Sequence, residues 1–215
     1  MGAGGELAVS RLSTRIRPKA RNVKLFNQKG EHPPRKNLAF PTPVFISSVS
    51  MSLEGPDQLR LRAAHGYIEI GLFLEANAEL EKITPSCRHA PEVLDSRVVI
   101  YQGLQNWDLM AIVAKQLVEW NPGEAAYFLH LAYALRRAAS LRAAHAILTN
   151  AAELHPREGL IQFNLACYET QLGNLDQAKA HLKRATKINP KFKLMALEDP
   201  DLEPLWTSLA TEQSA

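Results

Sequence analysis

The chain has 215 residues, 46% hydrophobic and 22% charged, a balance that supports one ordinary hydrophobic core plus a tail. It excludes a helical membrane span, because no stretch approaches the roughly 18 to 20 uninterrupted apolar residues required. The most apolar early run, Leu38 to Val49, is broken by Pro41 and Pro43 and lies too far from the start to be a secretory signal. Two cysteines, Cys87 and Cys167, exclude a disulfide framework and a paired Cys-x-x-Cys metal knuckle, which fits a reducing, cytoplasmic setting.

The net charge of +3 is unevenly distributed: residues 1–50 carry nine Lys/Arg against Glu6 and Glu31, or +7, leaving −4 for residues 51–215. This first stretch is rich in Arg, Pro, Ser and Gly with little apolar periodicity, which predicts a basic, disordered tail. An Arg-rich, acid-poor beginning also fits an organelle transit peptide. A third reading starts from Met51, whose Met-Ser-Leu-Glu leads directly into a predicted helix, so that residues 1–50 are an upstream extension.

Residues 51–190 repeat with a period of 34. Pro122, Pro156 and Pro190 each close a polar-Pro pair, and the same step relates Ala64, Val98, Ala132 and Ala166, then Phe73, Trp107, Leu141 and Leu175. It also relates Ala76, Met110, Ala144 and Ala178; Leu80, Ala114, Leu148 and Leu182; and Ile83, Leu117, Ala151 and Ala185. Within each unit the apolar residues fall at helical spacing with a break where a turn is needed, as at Gly173-Asn174. The units run from about 57–90, 91–124, 125–158 and 159–190. Each holds two predicted helices: 57–70 and 73–84, 91–104 and 107–120, 125–138 and 141–154, 159–172 and 175–188, to within ~2 to 4 residues. The proline leads into the next unit because it cannot extend the helix it follows. Small residues at the recurring Ala positions let paired helices approach to the short end of the ~8 to 10 Å interaxial range. At least ~3 such units must stack before their faces are buried.

Residues 191–215 read as a turn followed by a capping helix, with Asp201 as N-cap and Leu202, Leu205, Trp206 and Leu209 lying on the exposed end of the fourth hairpin.

The period, the Ala positions, the closing proline and the segment Asn164-Leu-Ala-Cys-Tyr-Glu-Thr-Gln-Leu-Gly-Asn-Leu-Asp-Gln-Ala-Lys-Ala resemble the tetratricopeptide repeat (TPR). The fourth unit is the closest match. The second departs at Arg97, where an apolar residue is usual, and at Met110, and the first has Arg88 in place of the closing proline. The Asp-Pro-Asp-Leu stretch after the repeats is similar to that of bacterial members, which favours a bacterial source. The resemblance implies an all-α, right-handed superhelical solenoid of four helix-turn-helix repeats plus a C-terminal capping helix.

It also implies a concave groove walled by the first helix of each unit. At helical spacing the residues facing it are Leu61, His65 and Ile68; Asp95, Val99 and Gln102; Leu129, Tyr133 and Arg136; and Phe163, Cys167 and Thr170. The competing reading for Leu129, Phe163 and others is packing between helices. Such a groove suits an amphipathic helix or extended segment with aliphatic anchors. One subclass of the family binds chaperone C-terminal carboxylates through Lys/Asn and Lys/Arg pairs. Leu61 and His65, then Ala126 and His130, stand in those places, and a start one unit later gives Asp95 and Val99, then Leu160 and Asn164. That partner is therefore disfavoured. Arg136, Arg137 and Arg142 are either a solvated face or a contact for an acidic partner.

Nothing in the sequence assembles a catalytic motif or a cofactor site: His65, His130, His145, His155 and His181 are dispersed, and there is no phosphate loop. Cys87-x-His89 is a weak metal spacing, and Cys167 reads as a small packing residue. The expected function is a non-enzymatic scaffold binding a protein or peptide partner in the groove, with no cofactor, metal or membrane. Two alternatives stand beside it. One is an RNA-associated protein using the basic tail, which the acidic charge of residues 51–215 disfavours; the other is self-association through the groove or the cap.

Overall fold

Nine α-helices lie within residues 53–206, which are those the computed structural model describes, and a further helical turn begins at Glu203. They are α1 (Gly55–Glu69), α2 (Phe73–Leu80), α3 (Pro91–Gly103), α4 (Trp107–Trp120), α5 (Ala125–Ala138), α6 (Leu141–Leu154), α7 (Gly159–Gln171), α8 (Leu175–Ile188) and α9 (Lys191–Glu198). Pro85–Cys87 and Pro200–Leu202 form single 3-10 turns. Described residues all belong to the unit Ser48–Ala215. The readings of residues 1–50, and of Leu209, fall outside the described residues.

Local chemistry explains where the helices begin. Pro56 and Pro91 occupy the first turns of α1 and α3, where a missing N–H costs nothing and φ is already set. Side-chain oxygens of Asn106, Glu124, Ser140 and Glu158 accept from the Leu109, Ala126, Ala143 and Leu160 amides at the starts of α4 to α7. Within the hairpins, the turn falls at one 34-residue register. Gly71 and Gly173 adopt φ of 76° and 84°, and Gln105 takes 56° between them, a left-handed conformation that glycine reaches without a Cβ clash.

The registers read from the sequence are the hairpin interiors. Ala64, Val98, Ala132, Ala166, Ala76, Met110, Ala144 and Ala178 are all buried, as are the next two rows from Leu80 to Leu182 and from Ile83 to Ala185. Around the crossing alanines three apolar clusters form: one in the first hairpin and α3, one spanning the second and third units, and one spanning the third and fourth units and the C-terminal residues. The result is a stack of helix pairs closed by further helix at its C-terminal end.

The first unit departs from the pattern, and arginine accounts for it. The second helix, predicted to reach residue 84, stops at Leu80. Arg88, at the register of the closing proline, donates from Nε to the Ile83 carbonyl at 2.8 Å and from Nη2 to the Glu81 carbonyl. A guanidinium thus takes up the orphan carbonyls at a helix C-terminus, where positive charge is favoured. Arg97, although only 8% exposed, is fully engaged at the joint between the first two units. Its guanidinium donates to Glu81 at 2.8 Å, to Asn77 at 3.3 Å and to the Tyr101 hydroxyl at 3.1 Å. Arg97→Ala is expected to lower the unfolding free energy by about 1 to 3 kcal/mol, because Asn77 and Glu81 lose their donor. Arg97→Met keeps the packing of the apolar stem but removes the same donors, so it should still destabilise, by less than Arg97→Ala; chemical denaturation of the two variants checks the order.

At the other end the structure corrects the sequence reading. Residues 191–198, taken as part of a turn, form α9, which turns Phe192 and Ala196, spaced i and i+4, into the core. Asp199 caps the 3-10 turn Pro200–Leu202, its carboxylate accepting from the Asp201 amide at 3.0 Å. Leu202 and Leu205 are buried against the fourth repeat, as expected of a cap over its end.

Candidate partner-binding face

The twelve residues predicted to face the groove occupy three positions of the 34-residue register on α1, α3, α5 and α7, and the structure divides them. Leu61, Leu129 and Phe163 occupy the first position and are buried in the apolar clusters; Asp95, their counterpart on α3, is half-buried. These three pack between helices, so the groove reading is corrected for them: an apolar side chain at the edge of a helix pair gains more from its neighbours than from water.

At the second and third positions α1, α3 and α5 keep accessible side chains. His65 and Val99 are exposed, the latter at 43%, and Ile68, Gln102, Tyr133 and Arg136 are half-buried. His65 links two units: the Ser96 hydroxyl donates to the Glu92 carbonyl at 2.8 Å, which leaves its oxygen to accept from His65 Nε2 at 2.9 Å. The Tyr127 hydroxyl donates to Asp95 at 3.4 Å, and burial pushes the Asp95 carboxyl above its ordinary value against that bond. Tyr133 meets Trp107 edge to face with centroids 5.8 Å apart, and the Arg137 guanidinium lies 3.8 Å from the Tyr133 centroid and 5.1 Å from that of Trp107. This cation–aromatic stack holds the Tyr133 ring in place at the start of the second hairpin's partner helix.

On α7 the same register is closed. Phe163, Cys167 and Thr170 are all buried, which removes them from any accessible groove. Phe163 stacks on Phe192 of α9, centroids 5.4 Å apart. This contact needs Gly159, since a Cβ there would lie 2.5 Å from the Phe192 ring. The Cys167 thiol donates to Asp199 at 3.8 Å; burial and the facing carboxylates push that thiol well up, and burial pushes the Asp199 carboxyl up as well. Thr170 spends its hydroxyl on the Ala166 carbonyl at 2.8 Å. Gln171 donates to the Asp201 carbonyl at 3.1 Å. Arg136, one repeat earlier, forms a 2.7 Å ion pair with Asp201 and lies 5.3 Å from the centroid of Tyr168, whose hydroxyl burial pushes up to about 12. The three arginines noted in the sequence therefore diverge: Arg136 holds Asp201, Arg137 stacks on aromatics and Arg142 is exposed.

Two of the dispersed histidines meet a common buried site. His145 Nε2 lies 2.7 Å from Glu169, whose other oxygen accepts from Asn174 at 2.7 Å, and His181 Nδ1 lies 2.8 Å from Gln162. Burial pushes Glu169 upward, but bonds from Asn174 and His145 outweigh it and hold the carboxyl low. Burial depresses His130, and burial with Arg184 depresses His181. For these histidines the unfolded chain takes up protons below about pH 6.5 that the folded chain refuses. Their contribution is thus present above that value and lost as pH falls toward the folded value; the Glu169 contribution runs the same way, below its ordinary carboxylate range. The melting temperature is therefore expected to fall between pH 7.5 and 5.5, and His130→Met to shrink the fall; a melting temperature that rises on acidification contradicts the assignment.

Among the described residues no group of three or more His, Cys, Asp or Glu is placed to hold a metal, and no helix is long and apolar enough to cross a membrane. Stacked helix pairs with a shared first-helix face and a C-terminal cap are the fold of tetratricopeptide-type repeat proteins. Solved structures with this fold include MamA MSR-1 C2, with TM-score 0.55 and 21% identity over 63% of this chain and 78% of that one. The MamA RS-1 ArsTM double mutant is similar with TM-score 0.57 and 13% identity over 63% and 76%. TTC0263, a thermophilic TPR protein in Thermus thermophilus, is similar with TM-score 0.51 and 21% identity over 72% and 89%. No protein-family model matches the chain, and no curated protein matches its sequence.

Proposed function

We propose that the chain is a non-enzymatic interaction scaffold that receives a segment of a protein partner along the first-helix face of its first three repeats. The observation that carries this reading is the register itself. Three successive hairpins hold accessible side chains at equivalent positions, with Val99 and Tyr133 as apolar and aromatic anchors and His65, Gln102 and Arg136 as polar ones. An exposed aliphatic one repeat before a ring pre-positioned by Trp107 and Arg137 offers a low-entropy pair of anchors for incoming apolar side chains. The basic stretch that motivates the nucleic-acid alternative lies in residues 1–50. The test is binding by the full chain against the Val99→Asp, Tyr133→Ala double variant, using a partner retained from extract of the source cells. Retention should drop at least tenfold while the helical circular dichroism is unchanged; equal retention by both chains contradicts the reading.

A further inference from the structure

The C-terminal residues offer direct information on the chemistry this face accepts. Asp199 to Trp206, Asp-Pro-Asp-Leu-Glu-Pro-Leu-Trp, meets α7 through the 3-10 turn Pro200–Leu202, at the very register that α1, α3 and α5 leave accessible. Its hold has two parts. Leu202 and Leu205, three apart, are completely buried with Phe163, Ala166 and Cys167. Asp201 reaches back one repeat to Arg136, and Asp199 receives the Cys167 thiol. These contacts depend on side chains and on one main-chain carbonyl, and the same eight-residue sequence on another chain presents all of them.

We infer that the first-helix face of repeats three and four is a receptor for acidic, leucine-bearing segments of the form Asp-x-Asp-Leu-x-x-Leu, held in the resting chain by its own C-terminal segment, and that a partner carrying such a segment docks by displacing it. This rests on the scaffold reading and extends its face by one repeat, from α5, where Arg136 belongs to both, onto α7. Charge complementarity selects the partner: the half-buried Arg136 offers a guanidinium that pairs with a carboxylate and not with a basic residue. A tethered segment acts at an effective concentration in the millimolar range, so the resting site is self-occupied and an untethered competitor binds weakly until the tethered copy is loosened.

The experiment uses the full chain and a fluorescently labelled peptide of residues 197–206. Asp201→Arg in the chain removes the ion pair and sets Arg136 against a like charge while leaving both leucines. The peptide should bind this variant at least tenfold more tightly than it binds the unmodified chain. Adding Arg136→Glu restores an ion pair of reversed polarity within the chain, and peptide affinity should return to the unmodified level. A peptide with both leucines replaced by alanine should not bind. Cys167 reports occupancy: alkylation in Asp201→Arg should accelerate at least tenfold over the unmodified chain, and saturating peptide should suppress it. Equal, weak peptide binding by all three chains, or a Cys167 that stays protected in Asp201→Arg, overturns the inference. Failure here with continued loss of partner by the Val99/Tyr133 variant removes only this inference; failure of both removes the scaffold reading.

Discussion

Phe163→Ala is expected to lower the unfolding free energy by about 3 to 5 kcal/mol, the range for emptying a large aromatic site in a packed core. The ring is 1% exposed, stacks on Phe192 and belongs to the cluster joining α5, α6, α7, α8 and the C-terminal residues. Removing it leaves a cavity bounded by elements of two repeats and the cap, none of which can collapse without moving the others. The variant also separates two roles for one position: a groove contact would weaken partner binding with little change in stability, whereas a core residue lowers the melting temperature whether or not partner is present. Thermal and chemical denaturation without any partner decide between them.

Leu205→Ala is expected to cost about 2 to 5 kcal/mol, as for other fully buried leucines. Leu205 has no exposed surface, and Trp206 beside it donates its indole N–H to the Ala196 carbonyl at 3.1 Å. The closing segment therefore packs into the same apolar cluster as the fourth hairpin. Leu194→Ala, at a 68% exposed site on α9, serves as the control and should change stability by less than about 0.5 kcal/mol.

The eight repeat helices were legible because their signal is translational. A residue such as Ala132 is informative through Ala64, Val98 and Ala166 at the same register, and all four are buried. The departures come where that symmetry is broken. Arg88 stands where the other units have proline, and only the structure shows it capping α2. Arg97 read as a mismatch to the apolar pattern, and its partners Asn77, Glu81 and Tyr101 come from positions that carry no repeat signal.

The accessibility of the twelve predicted positions was legible in part. His65, Ile68, Val99, Gln102, Tyr133 and Arg136 retain accessible surface, but Phe163, Cys167 and Thr170 do not. Periodicity treats the fourth unit like the others and carries no information about a segment that follows the repeats. A usable signal was present: Phe192 and Ala196 four apart, then Asp199 before Pro200, spell a short helix and a capped turn. Those features shorten the connection to Leu202 and bring it back over α7.

The most direct test of the partner-binding face is photo-crosslinking from single positions of the full chain in extract of the source cells. A benzophenone side chain at Val99, on the first-helix face, is compared with one at Ile112, which is 56% exposed on the second helix of the same hairpin. Crosslinking of a discrete partner from position 99 and not from 112 is predicted. The same partner captured from 112 and not from 99 would contradict the assignment of the face.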